Sequence, residues 1–110
     1  MESNRRNVRH YLTPSGRDVF GEWVTRLKDR VGRAHIFKRI DRLEGGNFGD
    51  HRFVGEGVWE LRVHIGPGYR VYYGEEGRTL VLLLCGGDKK SRSKDIRLAQ
   101  SFWHEFRGDK

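Results

Sequence analysis

The sequence has few of the features that stabilise secreted or membrane proteins. It contains one cysteine, Cys85, so no disulfide can form within the chain. Its longest apolar run, residues 80–85, is far shorter than the stretch of about 20 residues that crosses a bilayer. The N-terminal MESNRRNVRHYL also lacks the apolar core of a signal peptide. These absences predict a protein of the reducing cytoplasm, with no membrane partner.

Metal-binding patterns are lacking as well. The five histidines are scattered and have one cysteine to assist them, so we expect no metal and no other cofactor. Positive charge, in contrast, is in excess: 22 lysines and arginines against 15 acidic residues give a formal net charge of +7. Such a balance favours a polyanionic partner, nucleic acid first, although solubility alone would also explain it.

The spacing of apolar residues predicts one α+β domain over residues 1–110. Helical spacing indicates amphipathic helices at residues 16–31 and 33–44, which would form an antiparallel hairpin, and a closing helix at 93–106. Strands are predicted before and after the helical hairpin from alternating apolar residues, and the last strand from a nearly continuous apolar run. The predicted strands are residues 8–12, 58–65, 69–73 and 79–85, with a short extended piece at 52–54. The close spacing of the last three favours an antiparallel sheet packed against the helical hairpin.

The stretch VWELRVHIGPGYRVYY at residues 58–73 separates apolar from polar side chains. Because side chains alternate along a strand, Arg62 and His64 fall on a polar face. If residues 66–68 form the hairpin loop, His64 faces Arg70, and Arg62 faces Tyr72. A β-bulge in the loop would shift the register by one residue and make these pairings diagonal, but the same polar side chains would remain on this face. The opposite, apolar face carries Trp59, Leu61, Val63 and Ile65.

This polar face, predicted to be exposed to solvent, matches the needs of RNA cleavage. Attack of a 2′-hydroxyl on the adjacent phosphate requires a proton acceptor, a proton donor and positive charge against the phosphate. His64 suits proton transfer, and Arg62 and Arg70 suit phosphate contacts. The alternatives are an exposed strand histidine, and arginines that are solvated or paired with Glu60. Tyr72 would either stack on an RNA base or cap the sheet edge.

A basic segment follows the last predicted strand. Residues 89–97 contain five basic side chains and one acidic one, so their net charge is +4. Lys89, Lys90 and Arg92 are therefore candidate contacts to an RNA backbone. A solvated start of the last helix would explain the same residues.

The order of several motifs resembles the RelE/ParE superfamily of bacterial toxins, most closely its HigB-like branch of addiction-module killer proteins. The resemblance covers residues 8–106 and is strongest from residue 47 onward. The motifs are NFGD at 47–50, ELR at 60–62, GPGYRVY at 66–72, LLCGGDKK at 83–90 and DI at 95–96.

The resemblance implies a compact toxin with a cognate antitoxin, expected to be a helix-turn-helix protein. RelE-type members cut messenger RNA on the ribosome, and ParE-type members poison DNA gyrase. By position, Arg70 matches an arginine that binds phosphate and the transition state in the RNA-cleaving branch. Arg62 and His64 fall where basic catalytic residues lie, and Lys89 or Lys90 falls near a further basic position.

One departure from the family concerns the C-terminal catalytic tyrosine of RelE-type toxins. Asp95-Ile96 occupies that region here, and no tyrosine follows Tyr73. The proton donor is therefore unassigned, and His104 is a candidate for it. The resulting hypothesis is a metal-independent, ribosome-dependent messenger RNA endoribonuclease that inhibits translation. The alternatives are a gyrase-inhibiting toxin without enzymatic activity and a non-toxic nucleic-acid-binding module.

Overall fold

A five-stranded sheet with helices on both faces forms the protein, and the computed structural model describes residues 5–108. The fold class is α+β, as the sequence predicts. Within the described residues, no helix has both the length and the apolarity needed to cross a membrane. The elements in chain order are β1 (Asn7–His10), α1 (Val19–Arg26), α2 (Arg30–Glu44), β2 (His51–Phe53), β3 (Val58–Val63), β4 (Tyr69–Glu76), β5 (Leu80–Gly87) and α3 (Arg92–Arg107).

The sheet is mixed, so the prediction of an antiparallel sheet is wrong for its first strand. The strand order is β1-β5-β4-β3-β2, and β1 runs parallel to β5, while all other neighbours are antiparallel. Short connections between β3, β4 and β5 make those strands reverse direction. No short turn joins β1 to β5, because α1, α2 and three strands lie between them in the chain.

Two hydrophobic cores lie on opposite faces of the sheet. On one face, α1 and α2 contribute Phe20 and Ile36 to a core that includes Tyr73. On the other face, α3 packs Trp103 against the sheet. A Cβ atom at Gly74 would lie 2.2 Å from the Trp103 ring, so only glycine lets this helix approach β4 so closely.

Two aspartates determine where the first helices begin. Asp18 accepts a hydrogen bond from Gly21 N at 2.9 Å, and Asp29 accepts one from Gly32 N at 2.9 Å. Such N-caps satisfy backbone donors that have no partner within the helix. Because Asp29 starts α2, the first helix ends at Arg26 and not at residue 31 as predicted.

The hairpin between β3 and β4 differs from the prediction in its register. β3 ends before His64, so residues 64–68 form a five-residue connection, and the predicted three-residue loop is wrong. The strands are consequently displaced by two positions from the predicted pairing of His64 with Arg70. A displacement of two residues keeps every side chain on its face. The observed partners are Glu60 with Tyr72, Arg62 with Arg70 and Val63 with Tyr69.

Candidate functional site

A buried carboxylate, Glu60, gathers three arginines beneath α3. Its side chain is 0% exposed. It accepts hydrogen bonds from Arg92 Nε at 2.8 Å, Tyr72 Oη at 3.0 Å and Arg62 Nε at 3.1 Å. Arg70 Nε lies 3.3 Å from the carboxylate, close enough for an ion pair but without the alignment of a hydrogen bond. The prediction that this strand face is open to solvent is therefore wrong for Glu60, Tyr72 and Arg70, which are buried. Arg62 is half-buried and His64 is exposed.

Glu60 carries its negative charge inside this cluster. Burial raises the pKa of Glu60, but hydrogen bonds from Arg92, Arg62 and Tyr72 outweigh burial and hold that pKa below its usual value. The neighbouring Tyr72 has a raised pKa, first because of burial and then because of the Glu60 charge, and it stays a hydrogen-bond donor. Three guanidinium groups against one carboxylate leave an excess of positive charge at the site.

Two of the predicted RNA contacts have other roles in this cluster. Tyr72 has no exposed surface, so the expectation that its ring is accessible to an RNA base is wrong. Arg92, at the start of α3, donates hydrogen bonds to Glu60 from Nε at 2.8 Å and from Nη2 at 3.3 Å. Its guanidinium therefore lies with those of Arg62 and Arg70 around one carboxylate. The alternative that Arg62 and Arg70 pair with Glu60 is confirmed.

An open depression of about 530 Å³ brings together four of the seven predicted site residues. Its wall is formed by Arg62, His64, Arg70 and Lys89, together with the loop at residues 65–68. Arg62 donates a hydrogen bond to Glu60 through Nε alone, and its two Nη groups make no hydrogen bond within the described part of the chain. Arg70 directs Nη1 to Gly68 O at 3.0 Å. Positive groups held in this way suit an anionic ligand such as a phosphate.

His64 lies in the connection after β3, where its side chain is 68% exposed. Its Nε2 pairs with a carboxylate oxygen of Asp50. The hydrogen bond from His64 is the main reason why the pKa of Asp50 lies below its ordinary value. Since the carboxylate fixes one ring nitrogen, the imidazole is oriented for proton transfer through the other.

Asp50 is a site residue that sequence reasoning did not assign. It lies 14 positions before His64 and has no motif spacing to it. Arg39 of α2 brings the two together: its guanidinium donates to Phe48 O at 3.0 Å, to Asp50 O at 3.3 Å and to Arg62 O. The segment before β2 is thereby held against the end of β3.

Lys89 and Lys90, the two candidate RNA-binding lysines, are exposed at the turn before α3. Asp88 shapes this turn, accepting hydrogen bonds from Lys90 N at 2.9 Å and Ser91 N at 3.3 Å. Lys89 reaches the wall of the depression, and Lys90 does not line it. In residues 5–108, no group of three His, Cys, Asp or Glu side chains has a geometry that could hold a metal ion.

Comparison with known proteins gives a relative from Haemophilus influenzae strain Rd, which is described as an uncharacterized protein. It is 48% identical to this chain over 88 residues, which are 80% of this chain and 89% of the relative. No protein-family model matches the sequence.

Proposed function

This chain belongs to the same family as the uncharacterized Haemophilus influenzae protein, and we propose that it is a RelE/ParE-like toxin that cuts messenger RNA on the ribosome without a metal. The observation that carries the proposal is the depression in which Arg62, His64, Arg70 and Lys89 converge. Phosphate-binding groups and a proton-transfer group on one wall are what RNA cleavage by an internal 2′-hydroxyl requires.

In this mechanism, the arginines hold the scissile phosphate. The free Nη groups of Arg62 and the guanidinium of Arg70 contact its non-bridging oxygens and stabilise the charge that grows during attack. His64, oriented by Asp50, accepts the proton of the 2′-hydroxyl. Lys89 lies on the same wall and is the side chain that would offer a proton to the leaving 5′-oxygen.

The open shape of the depression supports dependence on the ribosome. Its walls do not enclose a free RNA strand, so the chain alone would supply little of the alignment that speeds such a reaction. On the ribosome, messenger RNA is already held, and the exposed Lys89 and Lys90 would contact its backbone. The proposal includes a cytoplasmic location and a helix-turn-helix antitoxin that neutralises the toxin.

The test is inducible expression of the His64→Ala variant, followed by growth measurement and mapping of messenger RNA 5′ ends. Loss of a general base should reduce cleavage about 100-fold or more. The matched control is His35→Ala, because His35 is also exposed but lies on α2 and does not line the depression. We expect His35→Ala to remain fully toxic.

Three outcomes would contradict the proposal. Full cleavage by the His64→Ala variant would remove His64 from the mechanism. DNA damage with intact messenger RNA would favour a gyrase inhibitor, and unchanged growth with retained RNA binding would favour a non-toxic nucleic-acid-binding module. With purified components, equal cutting of naked and ribosome-bound RNA would refute only the dependence on the ribosome.

A further inference from the structure

A second pocket of about 390 Å³ lies on the opposite face of the sheet from the basic depression. We call it the aromatic pocket. Its floor and walls carry rings from three different parts of the chain, and a carboxylate closes one end. The residues that define it are Phe48, His51, Trp59, Tyr73, Glu75 and Arg6.

The rings of the aromatic pocket form a continuous series. The ring centroids of Tyr73 and Phe48 are 6.0 Å apart, those of Phe48 and His51 5.5 Å, and those of His51 and Trp59 5.1 Å. Tyr73 is buried, Phe48 and Trp59 are half-buried, and His51 is exposed on the edge strand β2. Packing of the core explains the buried rings but does not explain an exposed imidazole that extends the series toward solvent.

Polar groups lie at the Tyr73 end of this ring series and on its third ring. Glu75 Oε2 pairs with Arg6 Nε at 3.1 Å, and the Arg6 guanidinium lies over the Phe48 ring. The hydroxyl of Tyr73 is buried and has no hydrogen-bond partner among the described residues. His51, the third ring of the series, donates Nδ1–H to Gly49 O at 2.9 Å, so Nε2 is the ring nitrogen left for a ligand.

We propose that the aromatic pocket binds a nucleobase. A planar heterocycle would stack on the exposed imidazole of His51, beside the half-buried Trp59 ring, and its edge groups would meet the Glu75 carboxylate. The positive charge of the chain favours a ligand that also carries phosphate.

One segment of the chain contributes side chains both to the aromatic pocket and to the surroundings of the basic depression. The segment at residues 48–51 contributes Phe48 and His51 to the aromatic pocket and Asp50 to the pair with His64. A single strand that passes the sheet edge at β2 could therefore reach both places. The base would come either from such a strand or from a free nucleotide, and neither source requires that the protein cleave RNA.

The test uses Trp59 as a reporter, because a base against its ring should quench its fluorescence; quenching that is lost in Trp59→Phe comes from this ring and not from Trp23 or Trp103. The four ribonucleoside 5′-monophosphates and a short single-stranded RNA are titrated separately, the RNA with the His64→Ala variant so that cleavage cannot interfere. We expect saturable quenching, and His51→Ala should weaken binding about tenfold through the loss of one stacking surface. His35→Ala is the matched control and should bind as the unsubstituted chain does.

The two sources of the base give different results. Quenching by a mononucleotide identifies a free nucleotide as a ligand, and quenching by RNA alone identifies a base within a strand. Binding to the Trp59→Phe variant is measured by equilibrium dialysis and should be retained, because an aromatic ring is kept at that position. No saturable binding of any probe, or equal affinity in the His51→Ala variant, would overturn the proposal, whether or not the protein proves to be a ribonuclease.

Discussion

Replacement of Glu60 by glutamine tests how the arginine cluster is held together. The substitution keeps the size of the side chain but removes its charge. Arg62, Arg70 and Arg92 would then lie close together with no carboxylate among them. We expect Glu60→Gln to destabilise the fold, because three like charges would face one another in a region that α3 shields from water.

The magnitude follows from the burial of the partners. Removal of one member of a buried ion pair costs about 3–5 kcal/mol. The side chains of Arg62 and Arg92 are 21% and 34% exposed, so water would screen part of the uncompensated charge, and we expect the lower end, about 3 kcal/mol. With an unfolding entropy of about 2.1 cal/mol/K per residue over 110 residues, the melting temperature should fall by about 13 °C.

The effect should also depend on pH in a defined direction. The pKa of Glu60 is lower in the folded chain than its ordinary value, which is about 4.3 in an unfolded chain. A lowered folded pKa stabilises the protein above the unfolded pKa, and this stabilisation is lost as pH falls through the folded pKa. The stability difference between the unsubstituted chain and Glu60→Gln should therefore be full near pH 7 and shrink below about pH 4.3.

Urea and thermal unfolding at pH 7 and pH 3 would measure both effects. Glu22→Gln is the matched control, since it removes an acid from the more exposed pair with Arg17 and should change stability little. A Glu60→Gln variant as stable as the unsubstituted chain would refute the importance of the cluster. A stability difference that stays constant between pH 7 and pH 3 would refute the assignment of a charged Glu60.

Two further substitutions test the packing of helices on the sheet. Gly74→Ala would place a methyl group against the Trp103 ring and should cost about 1–3 kcal/mol in urea unfolding, whereas Gly45→Ala, whose Cβ meets only backbone at 3.4 Å, should cost little. Asp29→Ala removes both the cap of α2 and the acceptor of the Tyr69 hydroxyl, so its melting temperature should fall more than that of Tyr69→Phe; equal values would show that the cap contributes nothing.

Alternation along the strands predicted faces better than it predicted neighbours. The division between the faces of Trp59 and Glu60 holds, because a period of two is a property of each strand alone. The register depended on loop length, which alternation does not encode. Gly66 and Gly68 both have positive φ, at 53° and 78°, and the longer loop that contains them places His64 outside the sheet.

Burial of the polar face could not be predicted from the strand alone. Glu60 and Tyr72 look like solvent-facing residues until Arg92 is placed beside them, and that arginine lies 32 positions after Glu60. Asp50 was missed for the same reason, because Arg39 and the end of β3 determine its position. Local patterns thus identify which residues are polar, whereas contacts distant in sequence determine which of them are buried.

The two halves of the proposed site differ in how firmly they are held. Arg62 and Arg70 lie opposite each other on paired strands. Arg62 is held by its hydrogen bond to Glu60, and Arg70 by its ion pair with Glu60 and its hydrogen bond to Gly68 O, so both guanidinium groups require little ordering when a phosphate binds. His64 lies on a connecting loop, and its exposed ring is held by Asp50. In the proposed mechanism, rigid anion contacts beside a less constrained proton-transfer group would leave the alignment of the 2′-hydroxyl to whatever holds the RNA. That division of roles is the physical reason to expect that a bound ribosome, and not the chain alone, completes the reactive geometry.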